Sequence, residues 1–139
     1  MINKEELEHN VTINTKTGVV RCETSYHGDS VCKLQINMAE NNTFWTISSW
    51  YTEKGYCHNG IGKACMKACM SDLQEHFGKP KKIQYIWNGV NEYVIEFLTE
   101  HFDAVCNCPI AVQKTQTDDD WESHMYTLNK DKVLEYFLK

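Results

Sequence analysis

Tyr56-Cys57-His58-Asn59-Gly60-Ile61-Gly62-Lys63-Ala64 joins a stretch with the alternation of a strand to one with the period of a helix. Two glycines one residue apart stand at that junction. Without a Cβ, the backbone at Gly60 and Gly62 can turn tightly and lie close to a ligand. The N–H groups of the following helix's first turn lack intrahelical partners and, with the helix dipole, favour an anion. The segment reads as a cradle for phosphate or pyrophosphate, or as a plain strand-to-helix turn. Two common phosphate motifs do not fit. A Walker loop would need glycine at Cys57 and a hydroxyl at Ala64, and a dinucleotide fingerprint would need a third glycine at Cys65.

Upstream of the glycines, Thr43 to Thr52 is rich in aromatic and β-branched residues and follows a turn at Asn41-Asn42. Cys32, Leu34, Ile36 and Met38 alternate with Lys33, Gln35 and Asn37, the period of a half-buried strand. Val20, Cys22, Thr24 and Tyr26 repeat the pattern less cleanly, with His27-Gly28-Asp29 as the turn between the two runs. Residues 3–9 are expected to form a short helix.

Downstream, a helix from about Gly60 to Phe77 places Ile61, Cys65, Ala68, Cys69 and Phe77 on one stripe, with Ala64 and Leu73 at its edges. Gly78-Lys79-Pro80 stops it. A strand over 81–88, a turn at Asn88-Gly89 and an N-cap at Asn91 lead into a helix from Glu92 to Phe102. Cys106, Cys108, Ile110 and Val112 then alternate on a strand. A loop at Asp118-Asp119-Asp120, a strand from Trp121 to Leu128 and a terminal helix from Lys132 to Leu138 close the chain. The order is β-β-β-α-β-α-β-β in a single domain spanning residues 1–139.

This order and its motifs resemble the GNAT N-acetyltransferase superfamily over about residues 43 to 112. Gly60-Ile61-Gly62 matches the glycines of the family's Gln/Arg-x-x-Gly-x-Gly/Ala turn, and Lys81-Lys82-Ile83-Gln84-Tyr85-Ile86-Trp87 the strand after it. Asn91 matches the asparagine that opens the family's next helix, and Glu92 to Phe102 that helix. Three positions depart. Cys57 stands where the family has Gln or Arg, Leu98 where many members carry a tyrosine that protonates the departing thiolate, and no glycine precedes the closing Phe of His101-Phe102.

The resemblance implies an α/β (α+β) fold: a mixed, largely antiparallel twisted sheet with flanking helices. The family's usual first two helices have no counterpart before residue 18. The implied activity is that of an enzyme, an acyl-CoA-dependent N-acyltransferase. It would use acetyl-CoA as co-substrate and pass the acetyl group to an amine by direct attack in a ternary complex. Backbone groups of Trp50 and Thr52 would bond the pantetheine arm. N–H groups of Cys57, His58, Asn59, Gly60, Ile61, Gly62 and Lys63 would hold the pyrophosphate, and Asn91 would bond the pantetheine from the other side. The resemblance places Asp118, Asp119 and Asp120 at the rim of the acceptor site, where they would draw in a protonated amine, either a small molecule or a protein lysine. No acid or base is assigned by it; Glu53, His58 and Tyr93 are the nearest candidates. Homodimerisation stays open. The departures at Cys57 and Leu98 motivate an alternative, a catalytically impaired GNAT-fold binding module acting through CoA or a protein partner. A small α/β interaction protein whose glycines merely turn the chain is the third reading.

Composition narrows the classes. A hydrophobic share of 42% and a charged share of 24% over 139 residues are those of an ordinary globular domain. The net charge is −5 and Arg21 is the only arginine, which argues against nucleic acid, since phosphate contacts need clustered Lys and Arg. Met1-Ile2-Asn3-Lys4-Glu5-Glu6-Leu7-Glu8 has no apolar run of the kind a signal peptide needs, and no stretch is long enough for a membrane span. Seven cysteines without a secretion signal point to reduced thiols in the cytoplasm. Cys57, His58, Cys65 and Cys69 invite a zinc reading. However, Cys65 and Cys69 lie on the apolar stripe and Cys106-x-Cys108 is too tight for a structural site, so no metal is expected. Trp45, Trp50, Trp87 and Trp121 read as core rather than as a base-stacking platform.

Overall fold

A computed structural model of the chain describes residues 3–57, 59–87, 92–107 and 124–138. Strands β1 (Leu7–Asn14), β2 (Val19–Tyr26), β3 (Asp29–Ala39) and β4 (Phe44–Thr52) precede helix α1 (Ile61–Phe77). They are followed by β5 (Lys82–Trp87), α2 (Glu92–Phe102), β6 (Val105–Cys106), β7 (His124–Leu128) and α3 (Lys130–Leu138). The strands form one sheet of order β1-β2-β3-β4-β5-β7-β6. Every pairing is antiparallel except that of β4 with β5, which α1 connects as a crossover. At the β2–β3 hairpin Tyr26 pairs with Asp29, and His27 (φ 51°) and Gly28 (φ 87°) are both left-handed, so the turn's twist matches that of its strands.

Two parts of the chain differ from the sequence reading. The expected helix over residues 3–9 shrinks to a 3-10 turn at Lys4–Glu6, and the chain from Leu7 enters the sheet as β1. Leu7, Val11 and Ile13 line the face turned to the core and polar residues the other, and β1 pairs with β2 from Leu7↔Tyr26 to Asn14↔Val19 as an edge strand. β1 turns directly into β2, so no helices intervene before residue 18. The last helix starts earlier than expected, because Asn129 caps it: its Oδ1 accepts from Lys132 N at 3.1 Å.

α1, α2 and α3 share one core on the same face of the sheet. Trp45, Ile36, Ile47 and Ile83 of the strands belong to one buried cluster with Phe102 of α2 and Phe137 of α3. The stripe of α1 is wider than its expected form: Met66, Met70 and Leu73 are fully buried with Ile61, Cys65 and Cys69, whereas Ala68 and Phe77 are half-buried. The flexible thioethers fill the gap between helix and sheet. The opposite face of β1–β4 carries exposed Arg21, Glu23 and Lys33. Thr24 is buried, and its hydroxyl is satisfied by His9 Nδ1 at 2.7 Å; burial holds the His9 ring below its ordinary pKa. Trp45 is core, as expected. Cys108, Ile110, Val112 and Trp121, and the side chain of Trp87, lie outside the described residues. Among the described residues no helix is long and apolar enough to cross a membrane.

Candidate functional site

The centre of the sheet opens where β4 carries one residue too many. Ile36 pairs with Ile47 but Gln35 pairs with Ser49, so Ser48 is a bulge, and its hydroxyl donates to the Gln35 carbonyl at 3.3 Å. The bulge absorbs Ser48 without disturbing the alternation on either side. Trp45 and Ile47 face the helices before it, Trp50 and Thr52 after it, while Ser49 and Tyr51 are exposed. Among the described residues the parallel pairing of β4 with β5 ends at Ile47↔Tyr85, although β4 continues to Thr52 and β5 to Trp87. Glu53 N donates to Val31 O at 2.8 Å, continuing the β3–β4 register. By antiparallel alternation the backbone groups of Ser49, Tyr51 and Glu53 therefore face β3. Those of Trp50 and Thr52 face the diverging edge.

The glycine loop closes one end of this opening. Gly60 is the N-cap of α1 in the left-handed region (φ 75°, ψ 10°) and supplies no side-chain hydrogen bond to it. Ala64 N bonds Gly60 O at 3.1 Å, which leaves the N–H groups of Ile61, Gly62 and Lys63 without a capping side chain; the first turn has no acidic residue. Gly62 is fixed by its own chain. Trp50 Nε1 donates to its carbonyl at 3.2 Å, and the Trp50 ring meets Phe137 of α3 edge-on at 5.9 Å. Asn59 locks the loop, its amide donating to the carbonyls of Tyr56 at 3.2 Å and Cys57 at 3.1 Å. The exposed Cys57 thiol lies 3.8 Å from the Thr52 carbonyl oxygen and 3.7 Å from that of Glu53. Lys63 is turned to α3, with Nζ 4.2 Å from the centre of the Tyr136 ring.

No protein-family model and no curated protein matches this sequence. Solved structures do match. Nourseothricin acetyltransferase superposes with a TM-score of 0.61 at 11% identity, covering 88% of this chain and 83% of that one. An acetyltransferase of the GNAT family from Staphylococcus aureus gives 0.59 at 15% identity, over 83% and 71% of the two chains. Diaminobutyrate acetyltransferase EctA from Paenibacillus lautus, in complex with L-2,4-diaminobutyric acid and coenzyme A, gives 0.56 at 12% identity, over 79% and 69%. The chain has the GNAT acetyltransferase fold.

Within that fold, Trp50, Thr52, Cys57, Asn59, Gly60, Ile61, Gly62 and Lys63 come together around the β4–α1 junction. His58, Asn91 and Asp118, Asp119 and Asp120 lie outside the described residues. Glu53 is exposed at the end of β4, and its carboxylate accepts from the Tyr51 hydroxyl at 3.4 Å. The charge on Glu53 raises the pKa of the Tyr51 phenol. Tyr93 is 65% exposed near the start of α2. Leu98 is 1% exposed and belongs to the core of the GNAT fold. Cys65 and Cys69 are buried while Cys57 is exposed, and among the described residues no three His, Cys, Asp or Glu side chains are grouped as metal ligands. Sequence reasoning missed the Ser48 bulge and the Trp50–Gly62 bond. The signal for the bulge was present: Trp45 and Ile47 keep a period of two, but the next helix-facing residue is Trp50.

Proposed function

We propose that the chain is an acyl-CoA-dependent N-acyltransferase that moves an acetyl group from acetyl-CoA to an amine. The observation that carries this reading is the opening between β4 and β5, with the backbone of Trp50 and Thr52 facing it and the uncapped end of α1 beside it. Acetyl-CoA offers what those groups lack: an extended arm with amide groups, and a pyrophosphate. Trp50 and Thr52 would bond the amides as a neighbouring strand would. The N–H groups of Ile61, Gly62 and Lys63 would hold the pyrophosphate, in a loop kept in shape by Asn59, together with those of Cys57, His58, Asn59 and Gly60 that the resemblance adds. Asn91 would complete the pantetheine site from the α2 side.

The acceptor's lone pair attacks the thioester carbonyl, the new C–N bond forms, and the C–S bond breaks with release of the CoA thiolate. Chain residues contribute position and oriented N–H dipoles. A protonated amine must first lose its proton. Glu53, at the end of β4, is the described carboxylate nearest in sequence to the loop, and His58 and Tyr93 are the other candidates by their place in the sequence. The free thiols suit a reducing compartment such as the cytoplasm. The burial of Leu98 favours one second reading, a module that binds CoA without efficient turnover.

Acetyl-CoA at a hundred times its Kd should add about 2.7 kcal/mol of stability, a rise in Tm of several degrees. A thiol-release assay with a panel of amines then separates the readings. A melting shift with thiol release supports the transferase, and a shift with no release on any amine supports the binding module. No shift at millimolar acetyl-CoA overturns both.

A further inference from the structure

We infer that Lys4 supplies the cation that meets the pyrophosphate at the head of α1. The inference rests on the acyl-CoA reading above and adds to it a residue from the start of the chain, outside every motif in the sequence. A Cβ placed on Gly60 would stand 2.6 Å from Lys4 Nζ and 2.8 Å from its Cε, so the end of the side chain lies directly over the N-cap of α1. The bare Gly60 makes that approach possible.

The turn that carries Lys4 is pinned on both sides. Glu6 pairs with His27 of the β2–β3 hairpin, Asn3 Oδ1 accepts from Glu5 N at 3.0 Å, and Leu7 is buried. Among the described residues the Lys4 side chain has no such partner. The ion pairs among the described residues join Lys33 to Glu23 and Lys132 to Asp103, and Glu6 is taken by His27. The ammonium therefore faces the positive end of a helix whose first turn has neither an acidic residue nor a capping side chain. That arrangement is repulsive by itself and becomes attractive on both sides once an anion sits between. The lysine inside the helix does not take the role, because Lys63 is turned onto the Tyr136 ring. An ammonium on a flexible stem suits a phosphate oxygen, where it acts as a point charge with several donors.

The test is calorimetric titration of CoA, 3′-dephospho-CoA and pantetheine into wild type, Lys4→Gln and Lys4→Arg. Lys4→Gln keeps a stem over Gly60 and removes the charge. It should weaken CoA and 3′-dephospho-CoA alike, by about tenfold at low salt and less at high salt, as expected for one charge-assisted contact. Pantetheine should bind both forms equally, Lys4→Arg should stay close to wild type, and the ligand-free Tm should not move. Wild-type affinity in Lys4→Gln overturns the assignment. So does a loss seen with CoA and absent with 3′-dephospho-CoA, which would put the amine on the 3′-phosphate. A wild-type protein that binds neither nucleotide overturns the acyl-CoA reading itself, and Lys4 with it.

Discussion

A Cβ on Gly62 would lie 3.4 Å from both Trp50 Nε1 and Thr52 Oγ1, so the space that glycine leaves is taken by β4 of the same chain. The residue lets α1 settle against the strand while its N–H stays at the helix end. Gly60 differs: its left-handed φ of 75° is itself a reason for glycine. Gly62→Ala should fit with a shift of tenths of an ångström. Gly62→Val should push the indole away and break its bond to the Gly62 carbonyl. We expect a loss of about 1–3 kcal/mol, read as a Tm lowered by several degrees, together with weaker acetyl-CoA binding. A Gly62→Val protein that melts like wild type would contradict this packing.

At the scale of elements, the bulge in β4 is the feature that separates stability from binding. Because Ser48 is absorbed outside the alternation, deleting it leaves Trp50 and Thr52 facing the helices and Ser49 and Tyr51 exposed. The straightened strand could then continue its pairing with β5 past Ile47↔Tyr85. The deletion variant should keep a cooperative melt at or above the wild-type Tm and lose the acetyl-CoA-dependent shift. A retained shift would mean that the opening does not depend on the bulge. α1 carries the complementary lesson. Its ends at Gly60 and Gly78 were readable from glycine placement, whereas the burial of Met66 and Met70 beside Cys65 and Cys69 shows a wider buried stripe than the sequence reading gave.

For the whole molecule, the core between sheet and helices holds thiols that set its response to alkali. A hydrogen bond with Cys22 is the largest cause raising Cys65, and burial raises Cys69, each to about 12; contact with Cys65 pushes Cys32 up as well. In the unfolded chain these groups ionise near their ordinary pKa of about 9. Native thiols hold their protons while unfolded ones lose them, so stability is full below about pH 9 and falls as pH rises toward about 12. The slope should approach about 1.4 kcal/mol per pH unit for each buried thiol, measured by urea unfolding at a series of pH values. Cys69→Ala should flatten that slope, and an unchanged slope would remove the thiols as its cause. The net charge of −5 acts at longer range. If the acceptor is a cationic amine, replacing Asp118, Asp119 and Asp120 with asparagine should raise KM at low ionic strength and leave kcat nearly unchanged. Steady-state assays at two salt concentrations check this, and a preference for neutral acceptors would count against it.

What depends on neighbours a few residues apart is legible along the chain. The alternation of β2 and β3, the β-branched and aromatic content of β4, the start of α1 at a glycine turn, its stop at Gly78 and the order of elements from β2 onward all follow from local periodicity and backbone freedom. Pairing across long separations becomes visible once the chain is folded. Leu7–Asn14 is a strand because β2 offers it partners, and Ser48 is a bulge because Gln35 pairs with Ser49. Lys4 lies over Gly60 because the neighbouring Glu6, paired with His27, holds its turn against a distant hairpin. Local patterns specify which face of an element is buried; the register between elements specifies which atoms meet, and the site is made of such meetings.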